Sequence, residues 1–408
     1  MARLEDLPIY EQEHLLSKLL PPLGKLEWVK HEKHISEMKF AIITTAGLTY
    51  KDDDNFNFID ASYRAIPKET QSEDILMTHS SVNFDKTGFQ EDINVVFPID
   101  RFKELEEKGL IGSLADINYS FMGAGLLPDA YEDSVKDLSV ILKQDHIDAV
   151  IVLPVCPNCS RTVCAITHYL EAAGIMTAGI TLFKEIAESM MPPRSLWVTF
   201  PLGRPLGKPN DSDFQHKVIS DVLSMLKKKS GPVLNECKLN ANDKSVLPPA
   251  CPINFNTNKD DLSWHSRLKK EIASLATWYD LSIQRRGRTT FGVSNSSITE
   301  IADGLTLWID NKDNQIPDYA WIKLALDDIK IYYSESLIAK PSNYPTGYVD
   351  QIIFNDTVLG ELISFYYKYF TNNPNTKHFG RMIASREMLK KSTGNWAITK
   401  QGTFNKKP

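Results

Sequence analysis

Three of the five cysteines fall within nine positions, Cys156, Cys159 and Cys164, and the first two form a Cys-Pro-Asn-Cys segment. A thiol is a weak nucleophile and its thiolate a strong one, so the chemistry depends on what stabilises the anion. With one thiolate activated, a second thiol three positions on can resolve a mixed disulfide or a sulfenate. Cys156 reads as the nucleophile and Cys159 as the resolver, because the first position is less enclosed by the helix that follows. A Cys-x-x-Cys pair is also half of a structural zinc site, which needs two further ligands. Cys237 and Cys251 stand too far apart to supply a second such pair. Cys164 and His168 lie four apart on one helix face, so Cys156, Cys159, Cys164 and His168 make the alternative set, for zinc, copper or iron. Taken alone, Cys164 reads as a small buried hydrophobe.

The surrounding elements place the pair where such chemistry is done. Asp148 to Val155 (DAVIVLPV) is almost wholly apolar and of strand length, as in the centre of a parallel sheet covered on both faces. A helix is predicted from about Ser160 to Ala173, ended by Gly174. A strand over 175–181 and a helix over 182–190 follow. The cysteines therefore sit at the carboxyl end of a strand and the start of a helix, where ligand sites of open α/β sheets gather. The positive end of the helix dipole and its unpaired N–H groups favour a thiolate there, and Arg161 adds charge. Upstream, residues 38–46 read as a first strand closed by Gly47, Arg101 to Lys108 as a helix, and Ser134 to Gln144 as an amphipathic helix with Val135, Leu138, Val140, Ile141 and Leu142 on its apolar side. The alternation implies a doubly wound, mostly parallel, Rossmann-like α/β domain.

Other polar residues at strand ends join the candidate set. His79 and Ser80 follow the apolar Ile75-Leu76-Met77, and Asp85, Asp92 and Asn94 flank an apparent loop-to-strand passage. His79, Asp85 and Tyr119 are the candidate proton carriers; Ser80, Asn94 and Arg161 are candidates for holding substrate. Tyr119 to Gly123 reads as a strand entering a glycine turn, offering either packing or a phenol and backbone donors. After about residue 203 the composition shifts. The stretches 203–214 and 238–262 are rich in Gly, Pro, Asn, Asp and Lys, with a helix at about 214–229 between them. From residue 263 the pattern is mainly helical, with Ser263 to Tyr279, Tyr319 to Ser336 and Tyr348 to Asn372 the strongest helices. The expected organisation is an α/β domain over 1–235, a linker over 236–262 and a helical C-terminal domain over 263–408. In the last, Arg285, Arg286 and Arg288 either reach an anionic group, with Arg288 as a substrate contact, or hold helix ends and acidic residues.

Composition narrows the function classes. At 408 residues, 42% hydrophobic and 24% charged, the chain has ample material for a core. A net charge of -6 without a basic stripe excludes a phosphate-tracking surface, and no nucleic-acid partner is expected. No apolar run approaches the roughly 20 residues that span a bilayer, and the start, MARLEDLPIYEQEHLL, lacks the basic and apolar regions of a secretory signal. A cytoplasmic protein is expected, whose thiols are kept reduced.

Two segments carry a family likeness: DINVVFPIDRFKELEEKGLIGSLADINYSFMGAG (92–125) and DAVIVLPVCPNCSRTVCAITHYLEAAGI (148–175). Over these, and in LALDDIKIYYSESL (324–337) and the pattern around 358–383, the chain resembles the selenoprotein B family of the glycine/sarcosine/betaine and D-proline reductases. It looks like a cysteine-containing homologue with an added helical domain. The resemblance implies an oxidoreductase that cleaves a C–N bond of a small amino-acid-like substrate, with a dithiol as electron donor. In the family a selenolate does the attack, and its place corresponds most simply to Cys156, where this chain has cysteine. Family members work with partner subunits, one of which carries a pyruvoyl group. The expectations are thus an external dithiol or thioredoxin-like reductant rather than a bound cofactor, a partner reductase subunit or thiol donor protein, and a homo-oligomer as a further option. The alternatives are a metal-dependent or metal-binding protein built on the cysteines with His168 or His79, and a non-catalytic subunit of a biosynthetic complex.

Overall fold

A computed structural model describes residues 3–6, 9–30, 32–241, 255, 263–311, 314–341, 346–385, 388–389, 396–398 and 404–406. The chain divides into two compact units, one of residues 1–71, 77–242 and 397–408, the other of residues 72–76 and 243–396. Of the 236–262 stretch read as a linker, 242–254 and 256–262 lie outside the described residues, and Cys251 with them. Among the described residues, no helix is long and apolar enough to cross a membrane.

The first unit is an α/β sandwich around a mostly parallel sheet. Its strands are β1 (Lys39–Thr44), β2 (Tyr63–Pro67), β3 (Ser113–Leu114), β4 (Ile117–Phe121), β5 (Ala149–Leu153), β6 (Met176–Thr181), β7 (Arg194–Trp197) and β8 (Val233–Glu236). The order is β8-β7-β6-β5-β1-β4-β2, with β3 beside the start of β1. Only β2 runs antiparallel, against β4. In β5 all five residues are buried, and in β1 all but Lys39, as strands covered on both faces must be. Chain order reverses at β1: β4 lies on one side of it and β5 to β8 on the other. In open α/β sheets ligands bind at such a reversal, outside the carboxyl ends of the strands, here those of β1, β4 and β5.

Helices α1 (Ile99–Glu107), α2 (Glu132–Gln144), α3 (Cys159–Ala172), α4 (Lys184–Met190) and α5 (Ser212–Ser224) supply the covering layers. Helix α2 buries Val135, Leu138 and Leu142 against a core that includes Tyr119, Phe121, Val152, Val163 and Ile166. Val140 is 55% exposed and lies off that apolar face, which the spacing 135, 138, 142 defines. The apolar run Ile93 to Ile99 is not a strand. Residues Ile93–Val95 form a 3-10 turn capped by Asp92, whose side chain accepts from Asn94 N, and Ile99 opens α1.

One buried ion pair fastens the far end of α3. Glu171 and Arg194 are both fully buried, with Glu171 Oε1 2.5 Å from Arg194 Nη1. Glu171 also accepts from Thr177 N (2.7 Å) and Val29 N (2.6 Å), while Arg194 Nη2 donates to Val29 O (2.7 Å). Burial pushes the Glu171 carboxyl up and the Arg194 guanidinium down, and their mutual attraction opposes both. The pair thus ties helix, sheet and the residue 29 segment together.

The second unit is helical: α6 (Trp264–Arg286), α7 (Ile298–Asp310), α8 (Tyr319–Ile338), α9 (Tyr348–Asp356) and α10 (Val358–Thr371). The helix expected over 348–372 is two, because Thr357 is extended and caps α10 through its hydroxyl, while Glu271 accepts from Val358 N (2.7 Å). Two carboxylates of α8 organise the loop after α6. Asp328 accepts from the backbone N–H groups of Gly292, Val293 and Ser294, and Glu335 from Thr289 Oγ1, Thr290 N and Thr290 Oγ1. Arg285 donates to Ala339 O (2.6 Å) and Arg286 pairs with Glu335 (3.3 Å), so these two arginines hold a helix end and an acid.

Replacing Glu171 with alanine leaves Arg194 charged, buried and without its carboxylate, and the cost of breaking such a pair is about 3–5 kcal/mol. Denaturant unfolding of Glu171→Ala against wild type should show a loss of that order.

Candidate functional site

The site is assembled by hydrogen bonds that continue the sheet past its strands. Thr44 stands opposite Leu153, and Ile43 opposite Tyr119. One residue further, Thr45 N donates to Leu153 O (2.9 Å), and Gly123 N donates to Thr45 O (3.1 Å). The ends of β5, β1 and β4 are so joined side by side. Gly47, at φ +65°, takes a left-handed conformation that lets the chain turn away from β1; a Cβ there would strike Thr78 O.

Just beyond β5, Cys156 and Cys159 are disulfide-bonded, with Cα atoms 5.0 Å apart. Helix α3 starts at Cys159, and its first N–H points back: Cys159 N lies 3.2 Å from Cys156 Sγ and 3.1 Å from Cys156 O. Cys156 was expected to be the less enclosed sulfur; both residues are fully buried. The approach to the pair is clamped, since Gly203 N donates to Val155 O (2.8 Å) and Asp85 N to Leu202 O (3.1 Å).

His79 completes the group. Its Nε2 is 3.4 Å from Cys159 Sγ, and its Nδ1 accepts the Ser81 backbone N–H at 3.0 Å. A nitrogen that accepts from an N–H carries a lone pair, so in the neutral ring the proton is on Nε2 and faces the sulfur. The ring is held edge-on by Phe84, with centroids 5.0 Å apart. Cys159 Sγ is also 3.9 Å from Thr45 O. Gly123 stands so close that a Cβ there would be 2.6 Å from Thr45 Cβ and 3.0 Å from Cys159 Sγ.

Of the residues singled out in the sequence, the fold thus brings Cys156, Cys159 and His79 together. Their sulfur and nitrogen atoms all lie within 4.8 Å of one another. Among the described residues, Cys164 and His168 do not join this group. Cys164 is buried one turn further into α3, and burial pushes its thiol up to about 12; His168 is half-buried, and burial pushes its imidazole down. Ser80 is buried and its hydroxyl donates to Met122 Sδ at 3.2 Å.

Four further residues expected at the site have other partners. Tyr119 is core: alternation along β4 turns it toward Tyr63 (ring centroids 5.5 Å) and the α2 side, and burial pushes its phenol up to about 12. Asp85 is occupied by Thr87, accepting from its N–H (2.9 Å) and hydroxyl (2.7 Å), and is paired with Arg204 (3.2 Å). Asn94 bridges Asp92 and Asp100, accepting from Asp100 N at 3.0 Å, which fixes the start of α1. Arg161 is nine-tenths buried, donates to Lys18 O (3.5 Å) and has no partner for its Nε among the described residues; burial pushes its guanidinium down. Arg288 is buried in the second unit, just past the left-handed Gly287 that ends α6. The glycine turn read over Tyr119 to Gly123 does lie at the site, with Gly123 against Cys159, while Thr45, read only as part of the 38–46 strand, is the residue the sequence missed.

The sequence pattern of the glycine/sarcosine/betaine reductase selenoprotein B (GRDB) family matches residues 9–154, ending two residues before Cys156. The D-proline reductase subunit gamma of Acetoanaerobium sticklandii is 30% identical over 227 residues, 55% of this chain and 92% of the relative. The glycine reductase complex component B subunit gamma of Peptoclostridium acidaminophilum is 24% identical, over 53% of this chain and 50% of its own length. The betaine reductase complex component B subunit beta of the same organism is 25% identical, over 48% and 46%. The chain therefore spans about half the length of these last two. No solved structure matches. With almost the whole of the D-proline reductase subunit covered at that identity, the chain belongs to the glycine/sarcosine/betaine reductase selenoprotein B family.

Proposed function

We propose that this chain is the thiol-bearing subunit of a reductase complex, in which Cys156 and Cys159 cycle between dithiol and disulfide to cleave a small amino-acid-like substrate reductively. The observation that carries the reading is the placement of two bonded sulfurs just past the carboxyl end of β5, against a helix start and the Nε2 of His79. In the forward step the dithiol supplies two electrons. One substrate bond breaks, the substrate takes up the electron pair and two protons, and the sulfurs are left as the disulfide. An external dithiol, a small molecule or a thioredoxin-like protein, then restores the thiols and leaves as its own disulfide. Arg161 and Ser80 are the side chains near the start of α3 and the end of β4 proposed to orient the substrate. The names of the relatives, all subunits of reductases, support a partner subunit.

Grouping of His79, Cys156 and Cys159 also suits a thiophilic metal ion in its choice of atoms. The hydrogen bonds favour the thiol reading. A metal at Nε2 needs the ring proton on Nδ1, and that nitrogen accepts the Ser81 N–H.

Mild oxidation of the reduced protein should remove two of its five thiols, and dithiothreitol should return them, with the bond mapped by mass spectrometry to 156–159. Cys156→Ala should abolish substrate reduction by the assembled complex; intact turnover would make the chain a non-catalytic subunit. Thiols that never pair, or stoichiometric zinc, copper or iron bound through Cys156, would overturn the couple. Gly123→Ala tests the clearance at Cys159. The added methyl must push Thr45 or the sulfur aside, so the variant should lose about 1–3 kcal/mol in denaturant unfolding and form the 156–159 bond more slowly on thiol counting.

A further inference from the structure

We infer that His79 gives the cysteine pair its direction: the Nε2–H of a ring locked in one tautomer receives the negative charge on Cys159 when the 156–159 bond is cut, which leaves Cys156 as the sulfur that exchanges with other molecules. The inference rests on the dithiol/disulfide reading above and names the residue that makes the two sulfurs unequal.

Two hydrogen bonds carry it. The Ser81 backbone N–H, 3.0 Å from Nδ1, cannot be moved or reversed, because a main-chain amide is a donor only. That forces the ring proton onto Nε2, and Nε2 is 3.4 Å from Cys159 Sγ. For His79 to work as a base at Nε2, its proton would have to stand on Nδ1, where two N–H groups would face each other at 3.0 Å. The ring is therefore a donor to sulfur and not a proton acceptor from it. Phe84 fixes its plane edge-on, and Ser81, next but one in the chain, supplies the lock. Cys156 has a different donor, the Cys159 N–H at 3.2 Å, which the start of α3 provides without any side chain. Both sulfurs are fully buried, so the anion formed by bond cleavage is stabilised by whichever N–H groups already point at it.

The step balances as follows. A thiolate of the external dithiol attacks Cys156 Sγ; a donor–Cys156 bond forms, and the Cys156–Cys159 bond breaks. The electron pair goes to Cys159 Sγ, which accepts the His79 Nε2–H hydrogen bond and keeps the charge. The second donor thiol then attacks the donor sulfur bonded to Cys156, its proton passes to Cys156 as that sulfur leaves as a thiol, and the donor departs as a disulfide. Two electrons have passed to the pair, and His79 has gained and lost no proton.

The test is the redox equilibrium of the full chain with glutathione at fixed pH, for wild type, His79→Phe and His79→Gln. Phenylalanine fills the ring's place without a donor, and glutamine keeps an N–H near the position of Nε2. The phenylalanine variant should favour the disulfide by about tenfold, near the lower end of what a hydrogen bond to a charged group supplies, or roughly 30 mV lower in potential for a two-electron couple. Glutamine should recover most of that shift. A phenylalanine variant within twofold of wild type, or glutamine and phenylalanine shifting it equally, would overturn the inference. Cys159→Ser should trap a mixed disulfide with the donor through Cys156; trapping instead through Cys159, in Cys156→Ser, would reverse the assigned direction. Should the wild-type pair not equilibrate at all, the reading of the preceding section fails. The ultraviolet thiolate absorbance of Cys156→Ser, with and without His79→Phe, then still decides the present one. A lower thiolate fraction in the double variant supports it, and an unchanged fraction overturns it.

Discussion

A sulfur anion removed from water is stable only where N–H groups already point at it, since no solvent remains to reorganise around the charge. Cys156 and Cys159 are both fully buried, so everything about their use depends on that constraint. Two donors answer it: the first amide of α3 for Cys156 and the His79 imidazole for Cys159. The positions of both donors are set by the surrounding structure rather than by the sulfurs. The amide is placed by helix geometry, and the imidazole by the Ser81 N–H and the Phe84 ring.

The sheet serves that arrangement. Its order puts the ends of β4, β1 and β5 side by side, and the bonds from Thr45 to Leu153 O and from Gly123 to Thr45 O hold them in line. At the far end of α3 the Glu171–Arg194 pair and Val29 anchor the helix, so its start is fixed relative to the sheet. The absence of a side chain at Gly123 matters for the same reason, because the space a methyl would take is the space between Thr45 and the sulfur. In the second unit polar residues are used differently. Buried acids of α8 satisfy the amides of a loop, and Arg285 in the last turn of α6 donates to Ala339 O at the end of α8, which is structural work of the same physical kind without reactive sulfur.

Much of this was legible in the residues. The apolar runs at 38–46 and 148–155, the Cys-Pro-Asn-Cys segment and the following helix give the strand, the turn and the site in order. Local apolar pattern failed where polar side chains, near in sequence or far, capped the backbone. The run from Ile93 to Ile99 has strand composition, yet Asp92, Asn94 and Asp100 turn it into a cap. Residues 348–372 read as one helix, and Glu271, far away in sequence, caps the second of two. Tyr119 and Phe121 share a strand with Asn118 and Ser120, and which face each would meet was open until the sheet had neighbours. In the fold Tyr119 meets Tyr63, while Ser120 accepts from Leu48 N at 2.7 Å.

By itself the sequence determined the α/β class, the pair of cysteines three apart and their seat between strand and helix, because periodicity and spacing are local properties of the chain. Tertiary structure alone decided which histidine meets the sulfur. His79 and Cys159 are eighty residues apart in sequence and 3.4 Å apart in space, whereas His168, nine residues from Cys159 on the same helix, does not join it. Contacts of that range are made by the order of strands in the sheet and by the loops at their ends, and no window of neighbouring residues contains them.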